Sequence, residues 1–289
     1  MEPKILNYGS LNIDHVYRVP HFVQPGETLS TLSLEYFAGG KGANQSVALA
    51  RGGAQVFHAG KLGTDGAWLK EKLEQNGVNT QFILEGTLPS GHAIIQVDAQ
   101  GENAIFLYAG ANHEIEQEEI VSTLSRFEKG DYLLLQNEIN LVPEIIREGV
   151  QKELYICFNP APMTSAVLDY PLELCNLLIV NETEGGFLTQ SASNEKILKK
   201  LTSRFPQTAV LLTVGAEGAY YVSKGKTFFQ EAENVKTVDT TAAGDTFTGY
   251  FLAAQLKKAS IKDALQRASH AAALCVSQKG AMDSIPYGI

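Results

Sequence analysis

Residues 239–257 read DTTAAGDTFTGYFLAAQLK, a turn of small residues and a carboxylate set directly ahead of an apolar run with helical spacing from Thr246 to Lys257. The first N–H groups of such a helix have no carbonyl partner within it, and the helix dipole makes that end positive. The amides around Ala242 to Asp245 therefore predict an anion site of the kind that holds phosphate. Asp245 is then either a capping residue or a general base beside a phosphoryl group.

Upstream of this stretch, short apolar runs are bounded by glycine or polar residues at Lys4 to Tyr8, Val56 to Lys61, Tyr132 to Gln136, Tyr155 to Phe158, Leu177 to Val180 and Val210 to Val214. They read as strands buried on both faces. Helical patterns lie between most of them, at Gly42 to Arg51, Gly66 to Asn76, Glu116 to Phe127, Leu141 to Gln151 and Asn194 to Phe205. This βαβα order predicts an α/β fold with a mainly parallel sheet covered by helices, whose ligands sit beyond the carboxyl ends of the strands. Two segments, residues 14–37 and 90–109, favour strands without intervening helices, and Ala99 to Glu102 suits a turn between two of them. They form either a pair of surface hairpins or a small separate sheet acting as a lid, whose edges could also serve dimerisation. No low-complexity linker or solenoid repeat divides the sequence, so residues 1–289 are expected to form one domain carrying these lid segments.

Composition narrows the function. Hydrophobic residues make up 44% of the 289, enough for a sizeable core, and a formal net charge of -9 argues against a surface built for nucleic-acid backbones. Cys157, Cys175 and Cys275 stand far apart without a CxxC pair, which predicts buried thiols in a reducing cytoplasm. No apolar run approaches the roughly 18 residues of a membrane span, and no export signal is expected.

Four further motifs can carry chemistry. GGKGAN at residues 39–44 precedes a helical run, where Lys41 and Asn44 can donate to a polyhydroxylated ligand; it lacks the spacing of a Walker A loop and is otherwise a plain turn. In Gly9 to Asp14, an extended chain puts Asn12 and Asp14 on one side, where an amide and a carboxylate suit sugar hydroxyls; turn formation is the competing explanation. NETE at residues 181–184 is either a capping box or a place where Glu184 orders water around Mg²⁺. TVGAEG at residues 213–218 closes a strand and could be a hairpin turn.

In this order, these motifs and DTTAAGDTF at 239–247 resemble the PfkB family of carbohydrate kinases, and within it the ribokinase branch, over nearly the whole chain. The resemblance implies a ribokinase-like three-layer α/β/α sandwich with a β lid, and transfer of the ATP γ-phosphate to a sugar hydroxymethyl group. D-ribose, yielding D-ribose 5-phosphate, is the expected substrate. The alternatives are fructose, a deoxy sugar or a nucleoside, or a non-catalytic sugar-binding relative. Carried over by motif, Asp245 resembles the catalytic base, and the Ala242, Ala243 and Gly244 amides resemble the anion hole. Implied sugar contacts are Asn12, Ile13, Asp14, Gly40, Lys41, Gly42, Ala43, Asn44 and Glu138; implied ATP contacts are Asn181, Thr213, Val214, Gly215, Ala216, Glu217, Gly218, Gly244, Asp245 and Ser269. A K⁺ activator is implied at Asp239, Thr241, Cys275, Gln278, Gly280 and Ser284, with Mg²⁺ near Glu184 through water. Against the adenine the pattern aligns Ser269, with His270 one position later as either packing or ligand.

Overall fold

The structure, a computed structural model, describes residues 3–289. Its strands are β1 (Ile5–Tyr8), β2 (Asn12–Arg18), β3 (Ser33–Gly39), β4 (Val56–Leu62), β5 (Asn79–Glu85), β6 (Gly91–Val97), β7 (Asn103–Tyr108), β8 (Tyr132–Gln136), β9 (Tyr155–Asn159), β10 (Leu177–Asn181), β11 (Ala209–Thr213), β12 (Gly218–Ser223) and β13 (Lys226–Glu231). Its α-helices are α1 (Lys41–Arg51), α2 (Ala67–Gln75), α3 (Gln117–Leu124), α4 (Val142–Gln151), α5 (Glu182–Thr189), α6 (Asn194–Arg204), α7 (Ala243–Leu256) and α8 (Ile261–Val276).

Nine strands form one sheet in the order β13-β12-β11-β10-β9-β8-β1-β4-β5, parallel from β11 to β5 with an antiparallel pair at the other edge. The apolar runs are continuous because alternate residues enter different cores. In β10, Leu177 and Ile179 pack on one face of the sheet with Val47 of α1, Leu73 of α2, Phe251 of α7 and Leu265 of α8. Leu178 and Val180 pack on the other with Ile120 of α3, Ile145 of α4, Leu188 of α5 and Ile197 of α6. The result is the expected three-layer α/β/α sandwich.

The six strands expected from apolar runs are all present, with ends shifted by at most one residue. Strands β5, β12 and β13 were not among the expected apolar runs, although a hairpin turn at residues 213–218 was one reading, and helix α5 opens on the capping box that was one reading of NETE. Those three strands lie at or next to a sheet edge, where one-sided burial leaves a mixed polar pattern in place of an apolar run. Helix α7 begins at Ala243 rather than Thr246, which moves Asp245 inside the first turn.

The two segments that broke the rhythm come together as one four-stranded sheet, β3-β2-β6-β7. Its central pair β2–β6 is parallel and the outer pairs are antiparallel, so the segments are not two independent hairpins. Among the described residues, no helix is long and apolar enough to cross a membrane. Cys157, Cys175 and Cys275 are free and buried, as expected, and burial pushes the Cys175 thiol up to about 12.

Candidate active site

A cleft of about 480 Å³ opens at the carboxyl ends of the parallel strands, between the large sheet and the small one. Asn12 and Asp14 reach it from β2, Lys41 and Asn44 from α1, Glu138 from the loop after β8, and Asn159 from the end of β9. Asn181, Glu184 and Thr213 line it further along, and the segment from Thr240 to Asp245 closes the far side. From the small sheet, Ala93, Ile95, Ile105 and Leu107 present an apolar wall.

The start of α1 lies against the β1–β2 loop because Gly42 has no side chain: a Cβ there would stand 2.4 Å from the Ser10 backbone nitrogen. Ala43 N–H donates to the Ser10 carbonyl at 2.9 Å, and Gly42 N–H to Ser10 Oγ at 3.1 Å. Glu138 accepts from Lys41 N–H at 2.8 Å and from the Ser10 hydroxyl. Asn112, which sequence reasoning missed, steadies Asn12 by donating to its Oδ1 at 2.8 Å and accepting Leu11 N–H at 3.0 Å.

Asp245 is brought to this end by a close helix crossing. Gly249, one turn further along α7, lies where a Cβ would be 2.3 Å from the Ala48 Cβ of α1. At that separation Asn44 Nδ2 donates to Asp245 Oδ2 at 3.1 Å and Gln45 Nε2 to Oδ1 at 2.9 Å. The capping alternative for Asp245 does not hold. The N-cap of α7 is Ala242, in a left-handed conformation (φ 60°), and no side chain caps the helix. Of the three expected anion-hole amides, Ala243 N–H is engaged with the Thr240 carbonyl at 3.2 Å. Gly244 and Asp245 belong to the first turn, whose N–H groups have no carbonyl within the helix, and Ala242 N–H has no backbone acceptor among the described residues; all three line the cleft, so these are the amides offered to it.

Burial, reinforced by the charge of Glu138, pushes Asp14 up to about 7, and burial also holds Glu138 and Glu184 above the ordinary carboxylate range. The attraction of Asp245, helped by Glu138 and Glu184, raises Lys41, which stays an ammonium ion amid three carboxylates. One fixed cation next to unpaired helix amides favours an anion at the α7 end, and carboxylates and amides favour hydroxyl donors at the β2 end.

Some expected residues lie elsewhere. Ile13 alternates away from Asn12 and Asp14 into the apolar core, as period-two geometry requires, and Ala43 is fully buried in the same core. Gly42 packs on Ser10 and lies outside the cleft lining. Val214 is in the opposite core, and Gly215 to Gly218 form the turn of the β11–β12 hairpin, outside the lining, so the hairpin alternative describes their local structure. Ser269 is buried and its hydroxyl donates to the Glu231 carbonyl at 3.2 Å; His270 is exposed and within 2.9 Å of Glu233. Asn181 and Glu184 do form the capping box: Glu184 N–H donates to Asn181 Oδ1 at 2.8 Å, and Asn181 N–H to Glu184 Oε2 at 2.9 Å.

Beside the α7 turn, Asp239 accepts from Thr241 N–H and hydroxyl at 2.9 and 2.6 Å, and from Gly280 N–H at 3.1 Å. Despite a desolvation cost, these bonds hold its carboxyl below the ordinary range. Cys275 Sγ lies 3.7 Å from the Thr241 carbonyl and 3.1 Å from Ser284 Oγ, and Gln278 N–H donates to the Cys275 carbonyl at 3.1 Å. The six residues thus share one loop cluster.

Besides Asn112, sequence reasoning missed Gln45, Asn159, Thr240, Thr248 and the apolar wall of the small sheet. A signal existed for Asn159, the polar last residue of a parallel strand, where ligands collect. For Gln45 the motif itself pointed one residue short.

Residues 2–287 match the pfkB family carbohydrate kinase pattern. The chain is 37% identical to the ribokinase of Haemophilus influenzae, covering 96% of this chain and 94% of that protein, and 34% identical to that of Staphylococcus aureus, covering 99% and 97%. Among solved structures it resembles Arabidopsis thaliana ribokinase complexed with ribose and ATP, with a TM-score of 0.88 at 28% identity over 99% of this chain and 96% of that one. It likewise resembles the ribokinase of Cryptococcus neoformans var. grubii serotype A in complex with ADP, with a TM-score of 0.87 at 35% identity over 99% and 97%. By its sequence, its three-layer fold and the cleft at the strand ends, this chain belongs to the pfkB family of carbohydrate kinases.

Proposed function

We propose that this chain transfers the γ-phosphoryl group of ATP to the hydroxymethyl oxygen of D-ribose, releasing ADP and D-ribose 5-phosphate. The observation that carries this reading is that Asp245 faces a single cleft with hydroxyl-binding groups at one end and the unpaired amides of α7 at its own end. Asn12, Asp14, Asn44 and Glu138 would hold the sugar hydroxyls. Asp245 would take the proton of the acceptor hydroxyl as its oxygen bonds to the γ-phosphorus. The bond from that phosphorus to the bridging oxygen then breaks, with the electron pair leaving on ADP. Lys41 and the Gly244 and Asp245 amides oppose the charge on the transferring group. Asn181 and Thr213 would meet the nucleotide, with the Gly215 to Gly218 turn beyond them on the adenine side.

Two metal ions complete the reading. Both Glu184 oxygens already accept from Asn181, so this carboxylate suits Mg²⁺ held through water. Bound there, Mg²⁺ would neutralise phosphate charge. The Asp239 cluster fits K⁺: it offers one ionised carboxylate, the Ser284 hydroxyl and the Thr241 carbonyl, whose thiol contact at 3.7 Å is weak. The small sheet would act as a lid, its Ile105 and Leu107 closing over the sugar, and a homodimer through its edges and outer face suits the exposed Phe106 and Tyr108. The buried free thiols support a cytoplasmic setting. A coupled ADP-release assay across ribose, deoxyribose, fructose and nucleosides tests the assignment. Ribose should give the highest kcat/KM, and a better nucleoside or hexose would overturn it.

A further inference from the structure

A chain of buried amides runs from Asp245 away from the cleft and into the core. Gln45 Nε2 donates to Asp245 Oδ1 at 2.9 Å and to Asn159 Oδ1 at 3.1 Å, and Gln45 Oε1 accepts from Gln136 Nε2 at 2.7 Å. Gln136 Nε2 also donates to Asn7 Oδ1 at 2.9 Å, and Asn7 Nδ2 donates to Ser46 Oγ at 2.9 Å. Ser46 Oγ lies 2.8 Å from His58 Nδ1, and His58 Nε2 lies 3.2 Å from the Gly9 carbonyl. Asn7, Gln45, Ser46, His58 and Gln136 are all 0% exposed.

The directions of the bonds in this chain are fixed by its two ends and by two carbonyls along it: Asn7 Nδ2 also donates to the Gly42 carbonyl at 2.7 Å and Asn159 Nδ2 to the Ile179 carbonyl at 2.9 Å, so both amides turn their oxygens toward the chain. The Gly9 carbonyl can only accept, so His58 carries its proton on Nε2. Burial lowers His58 to about 4, so the ring is neutral and Nδ1 accepts from the Ser46 hydroxyl. Ser46 in turn accepts from Asn7, whose Oδ1 needs a donor. At the other end both Asp245 oxygens accept from side-chain NH₂ groups, so Gln45 turns its NH₂ outward and its Oε1 also needs a donor. The two requirements meet at the Gln136 NH₂, whose two hydrogens go opposite ways. Gln136 Oε1 is left buried without a partner, an unfavourable placement that shows the amide is oriented by its NH₂.

We propose that Gln45 is a positioning residue for Asp245, and that the chain ending at His58 holds the Gln45 NH₂ toward the carboxylate, so that the base is presented ionised and fixed in rotation. This rests on Asp245 being the base. Turning the Gln45 amide over would set Oε1 against Asp245, tolerable only if Asp245 were protonated, and would leave Gln136 a donor without an acceptor. Lys41 of α1, Glu138 after β8 and Glu184 of α5 also face Asp245, and all three stay in place in the variants that test the idea.

Gln45→Met keeps the volume and removes the donor. In the full chain with its best sugar substrate, kcat should fall about 10- to 100-fold while KM for the sugar changes less than about threefold. The acid limb of the pH profile of kcat, read at saturating sugar and ATP so that the titration of Asp14 in the free enzyme does not set it, should move up by about one pH unit. Gln136→Met, outside the cleft, should move that limb the same way by less. An unmoved acid limb in Gln45→Met, whatever its kcat, overturns the proposal, since lost packing alone does not shift it. Should Gln45→Met fail to fold by circular dichroism, Gln136→Met, which removes the donor to Gln45 Oε1, must move the limb upward or the proposal falls. Asp245→Asn separates the two readings: if it is inactive while Gln45→Met behaves as the parent, only the positioning role fails, and if it is active the base assignment fails first.

Discussion

Asp14 should make sugar binding rise with pH through neutrality. No hydrogen bond reaches its carboxylate from the described residues, it is largely buried, and Glu138 repels its charge, so it is pushed from 3.8 to about 7. At pH 6 roughly one-tenth of it is ionised and at pH 8 roughly nine-tenths, so a sugar whose hydroxyls donate to the carboxylate should bind about tenfold more tightly at pH 8. Titration calorimetry with ribose and no nucleotide reads this directly. Asp14→Asn preserves shape and removes the titration, so its Kd should be flat across the range and weaker than the parent's at pH 8. The same shift acts on stability. Because the folded value lies above the unfolded one, the contribution of Asp14 is fully present below about pH 4 and is lost as pH rises through 7, a swing of at most roughly 4 kcal/mol. Without sugar, Asp14→Asn should therefore melt several degrees above the parent at pH 8 and show no such gain at pH 4. A parent Kd independent of pH from 6 to 8, or a variant that keeps the tenfold change, would refute the reasoning.

Three further outcomes follow from the same geometry. Gly249→Leu forces a side chain into the 2.3 Å approach to Ala48, and should destabilise the fold by about 1–3 kcal/mol in denaturant titration while lowering kcat as α1 and α7 separate. Asp239→Ala removes the one full charge of the proposed K⁺ loop, so kcat should lose its dependence on added KCl; persistence of activation would place the ion elsewhere. Phe106→Asp changes the exposed outer face of β7 without touching Ile105 or Leu107 on the cleft side, and should convert a dimer to a monomer by light scattering; an unchanged mass would exclude that face from the interface.

The sandwich was legible because its strands are buried on both faces, which writes each of them as an apolar run that no surface helix imitates. Strands β5, β12 and β13 escaped because edge burial leaves a polar pattern. At the site, the sequence by itself determined which residue types are present: a carboxylate in a small-residue turn before a helix, and amides and carboxylates after strands. Asn12 and Asp14 share a face because strands alternate, and the same alternation sends Ile13 to the core. Tertiary structure alone decided where the Asp245 carboxylate points. A cap and a base look identical in one dimension, and the difference lies in the close crossing at Gly249, which brings Asn44 and Gln45 onto its carboxylate from 200 residues away and leaves the helix amides to the cleft. The buried chain to His58 was equally hidden, since hydrogen-bond direction depends on which acceptors stand at its two ends, and Gly9 and Asp245 are neighbours of that chain only in the folded protein.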